Sequence, residues 1–247
     1  MLSIVTVILK SYQELERTLA SLEHQNIEYF EHVVVASGFS FNEKLRLEDR
    51  WSSKNRRFLF DQDNSLYNAM NMGLRAAQGD WILFLNGGDI LWSPDAISMV
   101  MERKRASCLA FCTAQRYGRD LYIRPPCRMT KGSVVGCGHQ GFVAPLDSDK
   151  SKRIYYNESN PISADQEWIR ENINHYGIDL HDKILSEFRL GGVSNRPSIR
   201  AFKLQLEAGN LLSAVKLLPK MFLYSLLRPR RYYNLMARFH RYKIVNQ

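Results

Sequence analysis

The stretch from residue 80 to residue 89 constrains the fold most, because five apolar residues end abruptly in polar, glycine-rich sequence. The apolar run, residues 81–85, is too short for a core helix and lies between Gly79 and Gly87, which predicts a strand buried on both faces. Asp89 follows just beyond the carboxyl end of that strand, where open α/β sheets bind ligands. Asp89 is therefore a candidate functional residue, although Asn-Gly-Gly-Asp is also favourable turn sequence.

Strand-like and helix-like patterns alternate along the first half of the chain. Short apolar runs at residues 3–9, 30–36 and 57–60 predict strands. Apolar residues at helical spacing predict helices after Ser11 and over residues 42–51 and 65–78. Residues 95–104 predict a further helix, and residues 108–115 and 121–124 predict a strand pair around Gly118. This alternation predicts an α/β fold in which helices flank a mainly parallel sheet.

The helix predicted over residues 65–78 has two different faces. The apolar face, which we expect in the core, consists of Leu66, Met70, Leu74 and Ala77. The opposite face is polar and consists of Asn64, Asn68, Asn71 and Arg75. Beside a ligand crevice, a row of amides is either a binding surface or an ordinary solvated face, and the pattern leaves both interpretations open.

Two further candidates follow in the second half of the chain. His139 lies in the sequence Gly138-His139-Gln140-Gly141, and the flanking glycines favour an exposed position over a structural one. Asp165 opens an amphipathic helix. An aspartate there is ordinarily a favourable cap, so the residues alone leave both a capping and a catalytic role open.

The charge of the chain divides it at residue 200. The net charge of +9 arises from residues 200–247, which hold ten Lys or Arg and one acidic residue, whereas the 24 basic and 24 acidic residues before them cancel. We therefore predict a globular domain over residues 1–199 and a basic, amphipathic, helical tail over residues 200–247. The neutral domain carries no electrostatic footprint for a polyanion, so we expect no nucleic-acid partner.

The N-terminus predicts a cytoplasmic protein, in which cysteines are mostly free thiols. Cys108, Cys112, Cys127 and Cys137 lack the paired spacing of a zinc site, and we expect mostly free thiols without a function. The N-terminal segment has no basic leader or small-residue cleavage site, and it is typical of a first strand.

Several motifs together resemble the family 2 inverting glycosyltransferases, which have the GT-A fold. The most specific block is Asp-Asn-Ser-Leu-Tyr-Asn-Ala-Met-Asn-Met-Gly at residues 63–73, followed by Ala-Gln-Gly-Asp at 77–80 and Phe-Leu-Asn-Gly-Gly-Asp at 84–89. His-Gln-Gly at 139–141, Ala-Asp at 164–165 and Phe-Arg-Leu-Gly-Gly-Val-Ser at 188–194 follow in the same order. The resemblance covers residues 1–194. The motifs are similar to those of the family branch that assembles bacterial surface polysaccharides of the colanic-acid or O-antigen type.

The resemblance implies a fold, a reaction and a set of site residues. It implies a Rossmann-like sheet of GT-A type and a nucleotide-sugar donor, whose sugar passes with inversion to a glycan or lipid-linked acceptor in surface polysaccharide synthesis. Asp165 is then the base, and Asp89 holds Mg²⁺ or Mn²⁺ at the leaving diphosphate. His139 and Gln140 contact the acceptor or the diphosphate. The donor-binding residues implied are Thr6, Lys10, Ser37, Asp63, Asn64 and Asn71.

Three departures from the family pattern concern the nucleotide pocket. Ala36 stands where the family usually has an aspartate that contacts the base, and Asn68 replaces the aspartate of an Ile-Tyr-Asp motif. The first strand runs into Leu-Lys-Ser-Tyr at residues 9–12 in place of a small residue and Tyr-Asn. The alternative function is therefore a catalytically silent nucleotide-sugar-binding module of the same fold. A nucleotidyltransferase is disfavoured, since residues 9–12 contain no glycine for a phosphate loop.

The tail interleaves apolar and aromatic residues with cations from residue 211 onward. Its longest apolar run is far below the ~20 residues of a membrane-spanning helix. We therefore predict a peripheral protein whose tail binds an anionic membrane surface, on the inner face of the plasma membrane. The alternative is a tail that packs on the body with its basic face in solvent. RNA binding is disfavoured, because no nucleic-acid motif accompanies the charge.

Overall fold

The structure is a computed structural model. It describes residues 1–25, 27–62, 65–103, 106–130, 133–160, 163–190, 197–199, 202–203, 206, 211–240 and 242–245. Its strands are β1 Leu2–Leu9, β2 Phe30–Ser37, β3 Arg56–Asp61, β4 Trp81–Phe84, β5 Ile90–Leu91, β6 Cys108–Tyr117, β7 Asp120–Arg124, β8 Arg128–Thr130, β9 Ser133–Val135, β10 Phe142–Pro145, β11 Ile178–Arg189 and β12 Lys243–Val245. Its helices are α1 Tyr12–Leu22, α2 Phe41–Trp51, α3 Leu66–Ala76, α4 Ala96–Glu102, α5 Ala164–Tyr176, α6 Leu211–Leu226 and α7 Pro229–Phe239.

One ten-stranded sheet dominates the fold. Its order is β12-β7-β6-β10-β4-β1-β2-β3, and β11 pairs with β5 and β6 beside this path. The four strands β4, β1, β2 and β3 run parallel, so their carboxyl ends meet at one edge. β10 is antiparallel to both of its neighbours. The predicted α/β class, with a mainly parallel sheet flanked by helices, is confirmed.

The α3 helix corrects the predicted division into an apolar and a polar face. Met70 and Leu74 are buried as expected, but Leu66 is 46% exposed and Asn71 is only 2% exposed. The Asn71 amide donates to the Tyr156 carbonyl at 2.9 Å and accepts from the Tyr156 N–H at 2.8 Å. The prediction for Asn71 fails because a distant segment covers that side of the helix and uses the amide as its partner.

The cysteine prediction is wrong for two of the four residues. Cys127 and Cys137 form a disulfide across ten positions of sequence, whereas Cys108 and Cys112 are free and buried. Burial in apolar surroundings raises the pKa of both free thiols, Cys108 to about 12. Spacing alone did not reveal the pair, because the antiparallel pairing of β8 with β9 brings its two residues together.

The end of the tail joins the body of the protein. β12 pairs antiparallel with β7 and extends the sheet by one strand. Tyr232 and Tyr233 of α7 are buried in a cluster with Tyr122 of β7. Arg230 donates two hydrogen bonds to the buried carboxylate of Asp120, at 2.5 and 2.7 Å. α7 and β12 thus pack on the body, the alternative to a lipid-facing tail.

The α6 helix, in contrast, leaves apolar side chains uncovered. Its exposed apolar residues follow one another at intervals of three or four positions and are Leu211, Val215, Leu218, Phe222 and Leu226. Helical spacing places them along one side. Within the described parts of the chain, no helix combines the length and apolarity needed to cross a membrane.

Candidate active site

A cavity of about 320 Å³ opens at the carboxyl edge of β4. It brings together four residues that the sequence selected from separate segments: Asp89, His139, Gln140 and Asp165. They come from the loop after β4, a single helical turn at His139–Gly141, and the first turn of α5. We call this cavity the active-site pocket.

The loop from Asn86 to Asp89 enters the pocket in a conformation that needs its glycines. A side chain at Gly87 would place its Cβ 2.2 Å from a methyl group of Ile8, and Gly88 has φ +94°. The Gly87 N–H still bonds the Val7 carbonyl at 3.0 Å, so the loop remains attached to β1. These contacts fix where the chain turns and therefore where the Asp89 carboxylate lies.

Helix α1 holds the same loop from the other side. The Thr18 hydroxyl donates to the Asp89 carbonyl at 2.7 Å and accepts from the Gly88 N–H at 2.9 Å. Arg17 donates to the Gly88 carbonyl at 2.8 Å and to Glu187 of β11, also at 2.8 Å. The backbone of the loop is thereby fixed by side chains that lie some seventy residues earlier.

Asp89 is a buried carboxylate with spare coordinating capacity. Burial raises its pKa to about 7, against the attraction of His139 and a hydrogen bond from the Gln140 side chain. Its Oδ2 atom is buried without a hydrogen-bond partner, and so is Oδ1 of Asn86, which lines the same pocket. Unsatisfied buried oxygens are costly, and hard cations prefer oxygen ligands. The pair fits a divalent cation.

His139 lies between the loop and α5. Its Nε2 is 3.0 Å from the Asn86 amide nitrogen, and its Nδ1 is 3.7 Å from Oδ2 of Asp165. With the Asn86 amide in this orientation its nitrogen donates to Nε2, and the Nδ1 proton of the neutral ring then faces Asp165. The imidazole therefore links the two ends of the pocket.

Asp165 occupies the first turn of α5 but does not cap it. The N-cap residue is Ser163, and Asp165 accepts instead from the N–H and the side-chain amide of Gln166. Burial acts to raise the pKa of Asp165, but the neighbouring His139 and the hydrogen bonds from Gln166 lower it below its ordinary value. The lowered pKa keeps the carboxylate ionised at neutral pH, and the side chain is 25% exposed.

Tyr67 of α3 supports that turn. Its phenol oxygen is hydrogen-bonded by the backbone N–H groups of Ala164 and Asp165, and burial raises its pKa. Its ring stacks on Tyr156 at 5.6 Å between centroids. Unpaired N–H groups at a helix start need acceptors, and Tyr67 supplies one.

The four predicted donor-binding residues that the structure describes do not line the active-site pocket. Thr6 is buried in β1, where its hydroxyl lies 2.9 Å from Nε2 of His32, and Asn71 is held by Tyr156 as described. Lys10 directly follows β1 and Ser37 ends β2, both at the carboxyl edge, with the Lys10 side chain over Gly38. Asp63 and Asn64 lie outside the described residues, as does the stretch 191–194.

Several residues of the pocket were not identified as site residues from the sequence. Those that carry polar groups into it are Tyr67, Asn86, Arg124, Gln166 and Arg189. Arg189 and Asn86 stand inside quoted motifs, so the motifs contained a signal that had not been given a role. Arg124 had none, because its place beside the pocket depends on the pairing of β6 with β7.

Solved structures share this fold. S. aureus TarS 1-349 in complex with UDP-GlcNAc has a TM-score of 0.62 and 17% identity, and the match covers 92% of this chain and 73% of that one. The mannosyltransferase PcManGT from Pyrobaculum calidifontis, in complex with GDP-Man and Mn²⁺, has a TM-score of 0.55 and 10% identity, with 97% and 84% covered. The chain spans 64% of another TarS 1-349 structure and 44% of a longer TarS structure.

The similarity to these structures establishes the fold, which is of the GT-A, Rossmann-like type. Comparison with curated proteins gives no significant match. The family model of Glycosyl transferase family 2 matches residues 3–161, more than half of the chain, and includes β1 through β10 with the Asn86–Asp89 loop and His139. The chain belongs to glycosyl transferase family 2.

Proposed function

We propose that this chain transfers a sugar from a nucleotide-sugar donor to a hydroxyl group of a glycan or lipid-linked acceptor, with inversion at the anomeric carbon. The observation that carries the proposal is one pocket that holds a buried carboxylate, Asp89, and an ionised, accessible carboxylate, Asp165, with His139 between them. Two carboxylates in different surroundings suit two different tasks.

Asp165 is the proposed base. Its lowered pKa keeps it ionised at neutral pH, and its side chain is open to the pocket. As the acceptor oxygen forms a bond to the anomeric carbon and the nucleoside diphosphate leaves, Asp165 accepts the proton of the acceptor hydroxyl. A single displacement of this kind inverts the anomeric centre. His139 donates its Nδ1 proton toward Asp165 and orients it.

Asp89 is the proposed ligand of Mg²⁺ or Mn²⁺, with Asn86 beside it. The described residues contain no cluster of three His, Cys, Asp or Glu side chains that could hold a metal. One carboxylate is nevertheless sufficient where substrate phosphates complete the coordination. When bound, the cation would neutralise charge on the leaving diphosphate. Two structures that share the fold, PcManGT (TM-score 0.55) and GalNAc-T7 (TM-score 0.53), were solved with Mn²⁺, which supports a metal here.

His139 and Gln140 are proposed to contact the acceptor or the diphosphate. Gln140 is already oriented toward Asp89, and its carbonyl accepts from the Ser186 hydroxyl at 2.6 Å. Arg189, at the end of β11, adds a cation to the pocket wall. A guanidinium is a good partner for phosphate oxygens, so Arg189 joins the proposed diphosphate side.

The acceptor is proposed to be a lipid-linked glycan of surface polysaccharide synthesis, met at the inner face of the plasma membrane. Support comes from α6, whose exposed apolar side holds Phe222 and Leu226 while the cations of Lys216 and Lys220 lie nearby in the same helix. Such a helix suits an anionic membrane surface. A cytoplasmic location would keep Cys127 and Cys137 reduced in the cell.

The test of the proposed function is donor turnover by purified protein. UDP-GlcNAc and GDP-mannose, each with and without Mn²⁺, are incubated with the full chain, and release of UDP or GDP is measured. We expect turnover of at least one donor, dependent on Mn²⁺, and a decrease of about 10² to 10⁴ in the Asp165→Asn variant. Asparagine keeps the shape of the side chain and an acceptor oxygen for the Gln166 N–H.

Glu167→Gln is the matched control. Glu167 belongs to the same first turn but points to Asn157 and Asn160, at 3.4 and 3.2 Å. The control should therefore turn over normally while experiencing the same loss of one charge at the helix start. Equal turnover of the two variants would return Asp165 to a structural role. Binding of a donor without any turnover would favour the catalytically silent module.

A further inference from the structure

A second cavity, of about 450 Å³, lies between the tail and the strands β6 and β7. We call it the tail cavity. Its walls include Gln115 and Arg124 from the body and Lys220, Tyr232 and Tyr242 from the tail. The volume falls within the range of roughly 300 to 1,000 Å³ that is usual for small-molecule sites.

The tail cavity adjoins the active-site pocket. Arg124 lines both, and its guanidinium bonds the Gly136 carbonyl. Cys127 lines the tail cavity, and Cys137, whose Cα lies 4.7 Å from that of Cys127, lines the active-site pocket. The two cavities are therefore neighbours, and an acceptor that reaches Asp165 has the tail cavity beside it.

The lining of the tail cavity matches an anionic glycan. Aromatic rings are suited to the apolar C–H surfaces of sugar rings, and the cavity is lined by the half-buried ring of Tyr242 beside the buried Tyr232. Arg124, Lys220 and His240 bring three groups that carry or can gain a positive charge, and none of the described lining residues is Asp or Glu. Gln115 is 7% exposed, and its amide makes no side-chain hydrogen bond within the described chain. An amide suits a sugar hydroxyl.

The tail side of the cavity is built into the fold. β12 continues the sheet beyond β7, and the buried Asp120 holds Arg230 in a paired hydrogen bond. The Tyr242 N–H donates to the Ala237 carbonyl at 2.8 Å, and the Tyr242 ring stacks on His240 at 5.6 Å. The aromatic wall is thus positioned before any ligand arrives, which lowers the cost of binding.

We propose that the tail cavity is the acceptor subsite, and that it binds a glycan segment carrying an anionic group. The inference rests on the proposed transferase function and adds the class of acceptor. The anion is either the diphosphate of a lipid linker or the carboxylate of an acidic sugar. Lys220 and Arg124 hold the anion, and the tyrosines hold the adjoining sugar ring.

The test compares two charge reversals on one helix. Lys220 and Lys216 are both exposed and lie four residues apart on α6, but only Lys220 lines the tail cavity. Lys220→Glu and Lys216→Glu therefore change the net charge equally and leave the core intact. The wild type and both full-length variants are titrated, without membranes, with farnesyl-diphosphate-linked N-acetylglucosamine, with tetragalacturonate and with neutral maltotetraose.

We expect the wild type and Lys216→Glu to bind an anionic probe alike, and Lys220→Glu to bind it at least about tenfold more weakly. The probe that shows the difference identifies the source of the anion. Equal affinity of the two variants for every probe, including no binding at all, overturns the proposal. Maltotetraose bound as tightly as the anionic probes also overturns it.

The same samples separate this inference from the proposed function. UDP-GlcNAc and GDP-mannose binding and hydrolysis report on the active-site pocket, which Lys220 does not line. We expect them to be unchanged in Lys220→Glu. Absence of donor binding and turnover in the wild type would refute the transferase function, whereas the probe titrations would still show whether the tail cavity binds an anionic glycan.

Discussion

Replacement of Thr18 by valine tests how the Asp89 loop is held. Valine has nearly the same shape as threonine, so the change removes one hydroxyl from a fully buried position. Two hydrogen bonds disappear. The Gly88 N–H keeps a partner, because it also bonds the Glu14 carbonyl at 3.0 Å, but the Asp89 carbonyl loses its 2.7 Å donor.

The expected loss of stability follows from the Asp89 carbonyl, which is left without a donor. A buried carbonyl left without a donor costs about 1 to 3 kcal/mol, so we expect Thr18→Val to lower the free energy of unfolding by about 2 kcal/mol. For a chain of this size, the midpoint of thermal unfolding should fall by roughly 4 to 8 °C. Turnover of the donor should fall more than tenfold, since a loop released from α1 holds the Asp89 carboxylate less accurately.

Thr18→Ser provides the control. Serine keeps the hydroxyl and deletes a buried methyl group, which costs about 1 kcal/mol of stability by lost burial. Both variants should therefore unfold at lower temperature, but only the valine variant should lose turnover. Thermal unfolding and nucleotide release, measured on the same preparations, give the two quantities. The reasoning is refuted if the serine variant loses as much turnover as the valine variant, or if valine loses none.

Three shorter predictions follow. Glu187→Gln should lower the free energy of unfolding by about 3 kcal/mol, because it breaks a buried carboxylate pairing. Arg116 and Arg17 hold the pKa of Glu187 below its ordinary value, against the effect of burial. The difference in free energy of unfolding between wild type and Glu187→Gln should therefore be full above the pKa that Glu187 has in the unfolded chain. It should vanish as pH falls through the lower pKa of the folded protein, and urea unfolding at several pH values measures it. Asp89→Asn should abolish Mn²⁺-dependent donor binding, measured by calorimetry, without lowering thermal stability, because the Oδ2 that it replaces has no partner. Phe222→Glu should weaken binding to anionic vesicles in a sedimentation assay, whereas unchanged binding would contradict a membrane role for α6.

The position of Asp89 beyond a buried strand could be predicted from sequence because its determinants are local. A short apolar run between glycines specifies a buried strand, and the carboxyl end of such a strand is a ligand edge wherever the strand lies in the sheet. The surroundings of Asp165 could not be predicted from a local pattern alone. A pattern placed it at a helix start, but its contact with His139, which separates a base from a cap, depends on packing between distant segments.

The wrong predictions for Asn71 and for the tail also arise from packing between distant segments. Helical periodicity assigned Asn71 to a polar face, and it could not show that the Tyr156 backbone would cover that face. The basic composition of the tail was evident, but the three-residue strand Lys243–Val245 is too short to recognise, and its pairing with β7 decides where the tail packs. The sequence therefore predicted local structure well and long-range contacts poorly.

The two carboxylates of the active-site pocket are set apart by their surroundings. Asp89 is 7% exposed and burial raises its pKa to about 7, so its ionised form calls for a positive charge. Asp165 is more open, and contacts with His139 and Gln166 lower its pKa in spite of burial. A carboxylate of low pKa is a weak base, but under the proposed mechanism the acceptor hydroxyl becomes a strong acid as its oxygen bonds the anomeric carbon. Asp165 therefore needs to accept the proton only late in the displacement, when even a weak base suffices.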